Sequence, residues 1–354
     1  MTDSTGDDES PAVGGTRPRG ARPTIYDIAQ LAGVNPSTVS RALSKPGRLN
    51  PKTEQLIREA AKALNYRVNP MARALPTGRT HTLGLIVADI TNPMFFDVVR
   101  GAERAAAADG YTLVLAESQE SGALEAETAD RVAPSVDGLI LVTTRLTDDE
   151  IRALAEQHPL VVINRLVDDV PSVIPEVAPG IDAALDHLAA VGHTSVAFLA
   201  GPERSWMSRA RWDEIMARAV DRSLNIVEIA SSSPTLDGGI EAFNRVRAAG
   251  VTAVVAYNDL MGIGLLRASQ QAGLSVPGDL SIVGFDDIFG SDFTSPPLST
   301  IRTPLNRLGE LAVQRLLAQL GTAAAPDDVG ALATEFIPRG SSGAPRGAGN
   351  AARA

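Results

Sequence analysis

Polar and charged residues follow several short apolar runs of the chain, at the points where those runs end. They are Asp89 with Asn92, Asn164 with Arg165, Asn258 with Asp259, and Asp286. Because the carboxyl ends of parallel strands meet at one edge of a sheet, these side chains can converge on a cleft. Carboxylate, amide and guanidinium groups can each bind hydroxyl groups in pairs, so a polyol or a nucleoside-like ligand is expected. The alternative for each residue is a side chain that only caps a helix or braces a loop.

Aromatic residues near these strand ends add a second kind of contact. Flat rings can cover the apolar face of a sugar. The candidates are Phe95, Phe96, Trp206 and Phe285.

The apolar runs themselves predict the fold class. From Thr82 onwards, runs such as LGLIVADI, VDGLILVTT and LSIVGFDD alternate with stretches of helical period. This pattern is typical of βαβ units and predicts an α/β core with parallel sheets over residues 81–338. The strands are too numerous for one ordinary sheet, so two subdomains are expected, with a changeover near residues 189–194. Residues 1–23 and 339–354 are rich in Gly, Ser and Pro, which predicts disordered tails.

Residues 24–68 carry the start and stop signals of three short helices. A capping pattern from Thr24 to Asp27 begins the first helix, and Gly33 supplies the left-handed residue that ends it. Asn35 with Pro36 and Asn50 with Pro51 begin the second and third helices. The third helix is expected to bury Leu56, Ile57, Ala60 and Leu64.

Two helices joined by a tight glycine turn are the helix-turn-helix arrangement, whose second helix enters the major groove of DNA. The start of that helix presents Ser37, Thr38, Ser40 and Arg41. Hydroxyl groups can bond phosphate or base, and an arginine can pair with guanine or phosphate. The alternative is a small helical subdomain with a solvated polar face.

The charge distribution supports the first interpretation. The whole chain has a formal charge of -10, which by itself argues against a nucleic-acid-binding protein. Residues 24–80, however, hold nine Lys or Arg against three Asp or Glu, a charge of +6. A small basic module attached to a large acidic one indicates a nucleic-acid contact confined to one end.

Several function classes lack the residues that they need. There is no cysteine for a disulfide, an iron-sulfur cluster or a thiol nucleophile. No Gly-rich phosphate loop or metal-ligand spacing of histidines occurs, so neither an enzyme nor a bound cofactor or metal is expected. No signal peptide or membrane span is recognised, which favours a cytoplasmic protein over a solute receptor of a transporter.

The segments TIYDIAQLAGVNPSTVSRALS and ALNYRVNPMARALPTGRTHTLGLIVADITNP resemble the lactose and galactose repressor (LacI/GalR) family. The likeness extends from Thr24 to Pro338. It implies a headpiece over residues 24–68 that reads a palindromic DNA operator as part of a homodimer. It also implies a hinge over residues 69–80 and a ligand-sensing core similar to periplasmic sugar-binding proteins.

The resemblance extends the DNA-binding set. In the family, a short hinge helix folds when two copies meet in the minor groove, and a leucine at the position of Leu75 wedges between base pairs. Pro76 departs from the basic or polar residue that relatives often carry, and an ordinary linker turn is the alternative. The DNA-binding residues are therefore expected to be Thr24, Tyr26, Pro36, Ser37, Thr38, Ser40, Arg41, Asn69, Met71, Ala72, Arg73 and Leu75.

The resemblance also implies which residues contact the effector. Asp89, Arg165, Arg209, Asn258 and Asp286 fall on positions that contact effector in relatives. The pocket departs from the family pattern at Glu176, Val177 and Glu214, so the effector is expected to be unusual or less tightly held.

Ligand is expected to weaken operator binding. The alternative is corepression, in which ligand strengthens operator binding. The family's dimer surface maps to the helix after Pro93 and to residues 261–271. The tail lacks leucine heptads, so a helical-bundle tetramer is not expected.

Overall fold

The computed structural model describes residues 23–44, 47–66, 78–231, 233–324 and 332–346. The chain divides into two units, one ending at Gly78 and the other beginning at Arg79. Nearly all of the predicted N-terminal tail, half of the predicted C-terminal tail and most of the predicted hinge lie outside the described residues; the hinge residues concerned include Asn69, Met71, Ala72, Arg73, Leu75 and Pro76.

The first unit contains three helices whose ends are set by the predicted caps. They are α1 (Ile25–Ala32), α2 (Pro36–Ser44) and α3 (Pro51–Ala63). The Asp27 carboxylate accepts hydrogen bonds from the Thr24 amide at 2.6 Å and the Thr24 hydroxyl at 2.8 Å. Gly33 ends α1 with a φ of 66°, a conformation that glycine adopts without steric cost. Asn50 accepts a hydrogen bond from the Lys52 amide at 3.0 Å and so caps α3.

The core of this unit is a small cluster contributed by all three helices. Its buried members are Ile28, Ala29, Val39, Ala42, Ile57 and Ala60, with Leu64 packed against them. The expectation for Leu56 was wrong, because this side chain is 52% exposed. Ile57, Ala60 and Leu64 share one face at helical spacing, and the neighbouring position turns outward.

The second unit contains two largely parallel sheets. The strands are β1 (Thr82–Val87), β2 (Thr112–Glu117), β3 (Gly138–Val142), β4 (Leu160–Ile163), β5 (Ser172–Val173), β6 (Ser195–Leu199), β7 (Asn225–Ile229), β8 (Ala253–Ala256), β9 (Ser281–Asp286), β10 (Ser299–Arg302) and β11 (Glu335–Ile337). In the first sheet the strand order is β2-β1-β3-β4-β5, and in the second it is β11-β10-β9-β8-β6-β7. Only the β10–β11 pair is antiparallel among the described strand pairs.

Helices cover the faces of both sheets and bury the apolar strands between them. They are α4 (Met94–Ala108), α5 (Gly122–Val132), α6 (Asp148–Gln157), α7 (Ala178–Ala190), α8 (Trp206–Ala219), α9 (Leu236–Ala249), α10 (Asp259–Gln271) and α11 (Leu305–Gln319). The predicted fold class, an α-helical headpiece followed by an α/β core with parallel sheets, is confirmed. We call the sheet β1–β5 with its helices the first half of the core, and the sheet β6–β11 with its helices the second half.

The chain passes between the two halves more than once. Helix α7 packs against β10 and β11, so the first changeover lies in residues 174–177 and not in residues 189–194 as predicted. Helix α11 follows β10 but returns to the first half, where it packs along α4. Residues 332–334, which precede β11, run beside the first changeover segment. The Glu176 backbone amide donates to the Leu332 carbonyl, and the Glu176 carbonyl accepts from the Thr334 amide, each at 3.0 Å.

The packing of α11 on α4 depends on two glycines. A Cβ at Gly101 would lie 1.9 Å from the Asn306 carbonyl oxygen, and one at Gly309 would lie 2.0 Å from the Val98 carbonyl oxygen. Each glycine therefore lets the backbone of the other helix approach. This contact fixes α11 on the first half.

The predicted C-terminal tail begins too early. Residues 339–346 pack on the second half, where Ser341 is fully buried and its hydroxyl donates to the Ile282 carbonyl at 2.6 Å. Arg339 donates to the Asp287 carboxylate at 2.6 Å and to the Leu298 carbonyl at 2.8 Å. Small Ser and Gly residues let this segment lie close to the strand backbone. Composition alone does not reveal that such a segment is ordered.

Candidate functional site

The two halves of the core enclose a cleft at the carboxyl ends of their strands. The first half contributes Asn92, Met94, Phe95, Glu120, Thr143, Arg145 and Asn164, and the second half contributes Met207, Arg211, Pro234, Tyr257, Asn258 and Asp286. The cavity between these walls has a volume of only about 10 Å³. The cleft is therefore narrow, with room for about one ordered water between its walls.

The backbone bends sharply where four of these residues enter the cleft. The φ angles are 58° at Glu120, 57° at Thr143, 63° at Asn164 and 100° at Asp286. Left-handed backbone is costly for residues other than glycine, most of all for a β-branched threonine. Such conformations are held only by surrounding structure and cluster at functional sites, which supports this edge as the working part of the core.

A buried ion pair lies on the second-half wall. Arg211 donates to the Asp286 carboxylate at 2.9 Å and to the Tyr257 carbonyl. The guanidinium carbon lies 3.7 Å from the centre of the Phe285 ring and 5.0 Å from that of Tyr257. Burial raises the pKa of Asp286, and the charge and hydrogen bond of Arg211 oppose this rise.

A second ion pair lies on the first-half wall. Arg145 contacts the Glu120 carboxylate through Nε at 2.7 Å and through NH2 at 2.6 Å. Its NH1 donates to the Thr143 carbonyl at 2.8 Å, and its backbone amide donates to the buried Glu125 carboxylate at 2.7 Å. Burial raises the pKa of both Glu120 and Glu125. Each guanidinium in the cleft thus has a carboxylate of its own.

Three buried polar atoms of the cleft residues have no hydrogen-bond partner within the described residues. They are the Thr143 hydroxyl, the Asn164 carbonyl oxygen and the Arg211 Nε. Buried polar groups are nearly always bonded in folded proteins, so three orphans around one cavity are an unusual concentration. Together they offer a donor, an acceptor and a hydroxyl that serves as either.

Four of the predicted effector residues line the cavity, namely Asn92, Phe95, Asn258 and Asp286. Two of these also act as caps, the role considered as an alternative. Asn92 accepts from the Met94 amide at 3.0 Å. Asn258 accepts from the Met261 amide at 2.9 Å and donates to the Pro234 carbonyl at 2.8 Å.

The other predicted effector residues lie outside the cavity lining. The Asp89 carboxylate accepts from the amide and hydroxyl of Thr91 at 2.8 and 2.6 Å. Arg165 pairs with Asp148 at 2.7 Å. These two side chains of the first half therefore brace loops beside the cleft, and a direct effector contact by Asp89 or Arg165 needs a rearrangement.

The remaining aromatic and basic candidates also point elsewhere. Phe96 is 48% exposed on the outer side of α4, and Trp206 packs against the second-half core. Phe285 is fully buried beneath the Arg211 guanidinium, which occupies the ring face that a sugar would need. The Arg209 side chain is 71% exposed and pairs with Asp213 at 3.2 Å.

Sequence reasoning selected Arg209 and missed Arg211. Helical period contains the signal, because α8 buries Met207, Ser208, Arg211 and Ile215 on one face. Arg209 lies on the opposite side. Sequence reasoning also missed Arg145, Glu120 and Tyr257. The type of residue that follows an apolar run does not reveal which side chains it contacts.

The departures from the family pattern lie outside the cavity lining as well. Val177 is buried in the second-half core, and Glu176 joins the changeover strand through its backbone. Glu214 pairs with Arg218 one turn along α8. The inference that these residues weaken effector binding gains no support from their positions.

The headpiece presents its predicted DNA-binding residues at the surface. Thr24, Ser37, Ser40 and Arg41 are exposed, and Tyr26 is 69% exposed. Pro36 and Thr38 are half-buried. The Ser37 hydroxyl donates to the Asn35 side chain at 3.1 Å, so it helps to cap α2.

Two further searches concern only the described residues. No helix there is long and apolar enough to cross a membrane. No group of three or more His, Cys, Asp or Glu residues in the described ranges could hold a metal ion.

Comparisons with known proteins match both parts of the chain. Residues 24–69 match the model of bacterial regulatory proteins of the lacI family, and residues 185–342 match that of the periplasmic binding protein-like domain. The ribose operon repressor of Escherichia coli (strain K12) is 32% identical over 316 residues, which cover 84% of this chain and 93% of that protein. The HTH-type transcriptional regulator MalR of Streptomyces coelicolor is 34% identical over 334 residues, which cover 90% and 96%.

A solved structure agrees with these matches. The lac repressor dimer bound to operator and the anti-inducer ONPF superposes with a TM-score of 0.80 and 25% identity, covering 92% of this chain and all of that one. A helix-turn-helix headpiece and a two-part α/β core around a polar cleft define a ligand-responsive transcriptional regulator. The chain belongs to the lacI family of bacterial regulatory proteins, as the sequence motifs predicted. The relatives named above are transcriptional regulators, not enzymes.

Proposed function

We propose that this regulator represses transcription by binding a palindromic operator as a homodimer, and that a sugar bound in the cleft releases it. The site acts by binding alone and performs no catalytic step. Operator binding requires the cytoplasm, where bacterial DNA lies. The names of the relatives support this reading, since one is the ribose operon repressor.

The chemical class of the ligand is inferred from the three buried polar atoms that have no hydrogen-bond partner within the described residues. Thr143 and Asn164 come from the first half and Arg211 from the second, so one ligand that bonds all three bridges the halves. Neighbouring hydroxyl groups of a sugar supply both the donor for Asn164 and the acceptor for Arg211. Each cationic side chain of the cavity already has a carboxylate partner, which favours a neutral sugar over an anionic one.

The DNA contact is assigned to the headpiece and hinge. Exposed hydroxyl and guanidinium groups at the start of α2 suit the major groove, and Arg41 is the candidate for base reading. We keep the hinge set, with Leu75 as a minor-groove wedge, as a proposal from the family resemblance.

An apolar groove on the first half suits a second copy of the chain. Ile90, Phe96, Val99 and Leu115 line it, and Ile90, Phe96 and Leu115 are exposed there. Exposed apolar patches of this kind mark interaction surfaces. The other predicted dimer surface, helix α10, is mostly buried within the second half.

Allosteric control follows when ligand and operator prefer different arrangements of the two halves. The cleft is too narrow for a sugar as it stands, so ligand binding must move one wall relative to the other. Movement of the first half reaches the end of the hinge segment, since Asp137 accepts hydrogen bonds from the Thr80 amide at 2.6 Å and the His81 amide at 3.0 Å. We propose induction as the sign of the response, with corepression as the alternative.

The test uses an operator selected from random palindromic DNA and measures binding by fluorescence anisotropy. A panel of neutral sugars, with uronic acids for comparison, is then titrated into the complex. Arg211→Lys keeps the charge beside Asp286 but lacks the Nε donor, so operator affinity should persist while the sugar response weakens about tenfold. Arg209→Lys is the matched control and should respond as the natural chain does. Failure of every sugar to bind or to alter operator affinity would reject the proposed effector class.

A further inference from the structure

Asp259 is a fully buried acidic residue that lies behind the wall of the cleft and outside the cavity lining. It follows Asn258, which lines the cavity, and begins α10. The Asp259 carboxylate has no ion-pair partner among the described residues, whereas Asp286 pairs with Arg211. Burying a carboxylate without a cation is costly unless hydrogen bonds satisfy its oxygens, so the hydrogen-bond partners of Asp259 indicate its role.

Both carboxylate oxygens of Asp259 bond the segment that follows Asp286. Oδ2 accepts from the Ile288 backbone amide at 2.8 Å, and Oδ1 accepts from the Thr300 hydroxyl at 2.6 Å. The Thr300 hydroxyl in turn accepts from the Asp287 amide at 3.4 Å. Asp259 therefore holds the two backbone amides that follow Asp286, one directly and one through Thr300.

The segment that Asp259 holds has a backbone that needs support. The φ angle is 100° at Asp286 and 55° at Asp287, so two consecutive residues other than glycine are left-handed. Such conformations persist only where the surrounding structure fixes them. A Cβ at Gly284 would lie 2.0 Å from Asp259 Oδ1, so the glycine at this position of β9 lets the carboxylate approach the strand that leads into the turn.

The same turn decides where Asp286 points. Asp286 lines the cavity and pairs with Arg211 at 2.9 Å. The Asp287 side chain instead pairs with Arg302 and Arg339, outside the lining of this cavity. Rotation of the backbone at Asp286 and Asp287 would redirect both carboxylates, so whatever fixes the turn also fixes the Asp286 carboxylate on the wall of the cleft.

We propose that Asp259 is a positioning residue for Asp286: by binding the two amides that follow, it keeps the Asp286 carboxylate beside Arg211. This rests on the proposed function in that the cleft is taken as the ligand site. The unpartnered Arg211 Nε keeps its direction only while Asp286 holds the guanidinium. Loss of the Asp259 hydrogen bonds should therefore weaken the Arg211–Asp286 pair even when no ligand is present.

The test measures how strongly Arg211 and Asp286 interact in the full chain without any sugar. Urea denaturation of Arg211→Met, Asp286→Leu and the double variant gives the coupling free energy of the pair as a double-mutant cycle. The cycle is repeated in a Thr300→Val background, which keeps the branched shape of the side chain but removes the hydroxyl that links Asp259 to Asp287. We expect the coupling to fall by at least half.

Two further backgrounds separate positioning from general damage to the fold. Ser269→Ala is the matched control, because it also removes a fully buried hydroxyl of the second half, one that donates to the Leu265 carbonyl within α10. The coupling in this background should equal that of the natural chain. Asp259→Ala should lose at least as much coupling as Thr300→Val. An unchanged coupling in both the Thr300→Val and Asp259→Ala backgrounds overturns the proposal, even if those variants melt at lower temperature.

Asp259→Asn tests rescue by a conservative change. Its amide oxygen can accept from the Ile288 amide, and its NH2 group can donate to the Thr300 hydroxyl. Both links to the turn are then kept without the charge, so most of the coupling between Arg211 and Asp286 should be retained.

Hydrogen exchange followed by mass spectrometry gives a second measurement on the single variants, which applies if a combined variant fails to fold. Peptides that cover residues 285–298 should exchange about tenfold faster in Thr300→Val than in the natural chain, the effect of one buried hydrogen bond, and no faster in Ser269→Ala. Equal exchange in all three proteins overturns the proposal. No sugar is present in either experiment, so failure of every sugar to bind would reject the effector class and leave this result standing.

Discussion

The Arg211 guanidinium and the Asp286 carboxylate lie 2.9 Å apart, with side chains only 4% and 3% exposed. The rings of Phe285 and Tyr257 flank the guanidinium and exclude water from it. Removing two charges from water is costly, and their attraction in a dry site offsets this cost only while both partners remain. Removing one partner of this pair is therefore expected to lower stability much more than removing both.

Arg211→Met should lower the free energy of unfolding by about 3–5 kcal/mol, because it leaves the Asp286 carboxylate buried without a partner. The double variant Arg211→Met with Asp286→Leu should recover most of that loss, since no buried charge is left unpaired. Urea denaturation followed by circular dichroism measures both. Arg209→Met serves as the control and should change the free energy by less than about 0.5 kcal/mol. A double variant no more stable than the single one would contradict a dominant role of the buried charge.

Local chemistry accounts for the parts of the fold that sequence predicted well. Caps at Thr24, Asn35 and Asn50 and the glycine at position 33 act over a few residues, so the headpiece helices could be placed directly. Strands buried on both faces are continuous apolar runs, which is why β1, β3 and β9 were recognised. The edge strands β5, β7 and β11 were missed, because they are short or partly exposed and carry no such run.

The site depended on contacts between distant segments. Strand ends were the right region, and Asn258 and Asp286 were found there, because parallel topology brings those ends together. Which side chain of a helix turns inward, Arg211 or Arg209, depends on where the helix begins and on what it packs against. Glu120, the partner of Arg145, lies 25 residues away along the chain, so no local pattern specifies it.

Arg41→Ala should weaken binding to the selected operator by about 1–3 kcal/mol if the guanidinium reads a base. The loss should be smaller on nonspecific DNA, because base contacts add specificity and phosphate contacts do not. Lys62→Ala, at the exposed end of α3, removes the same charge from the same headpiece and is the control. Anisotropy titrations on both DNAs at one salt concentration make the comparison. Equal losses on operator and nonspecific DNA would restrict Arg41 to a phosphate contact.

Phe96→Arg should disrupt the proposed dimer, because it places a charge in the apolar groove between α4 and β2. Desolvating an unpaired guanidinium is unfavourable, so the dimer dissociation constant should rise at least about tenfold. Sedimentation velocity over a range of concentrations measures it. Val220→Arg provides the control, since Val220 is equally apolar and more exposed but lies outside the groove. If both variants sediment as the natural chain does, the second copy binds elsewhere.

His193 gives the core a pH dependence that can be isolated by mutation. The ring is buried, with Nδ1 at 2.8 Å from the Thr252 hydroxyl and Nε2 at 3.0 Å from the Ser281 hydroxyl and the Gly343 carbonyl. Burial lowers the pKa of His193 below 6.5, and the nearby His187 adds to this effect. The His187 ring, whose own pKa is lowered by burial, bonds Ser342 in the same C-terminal segment.

The sign of the effect follows from proton binding. Between the ordinary histidine pKa and the lowered one, the unfolded chain binds a proton that the folded chain does not, so the free energy of unfolding falls as pH falls below about 6.5. Buried carboxylates with raised pKa values, such as Asp259 and Asp286, act in the opposite direction, because their folded forms hold protons longer. His193→Gln removes the contribution of the His193 ring and leaves His187 in place. Its free energy of unfolding should therefore decline less between pH 7 and pH 5.5 than that of the natural chain, by up to about 1.4 kcal/mol per pH unit.

Urea denaturation at both pH values measures the difference, with His158→Gln on the first half as a control for the loss of a histidine. Parallel pH profiles for the natural chain and His193→Gln would show that the His193 ring carries no linked proton in this range.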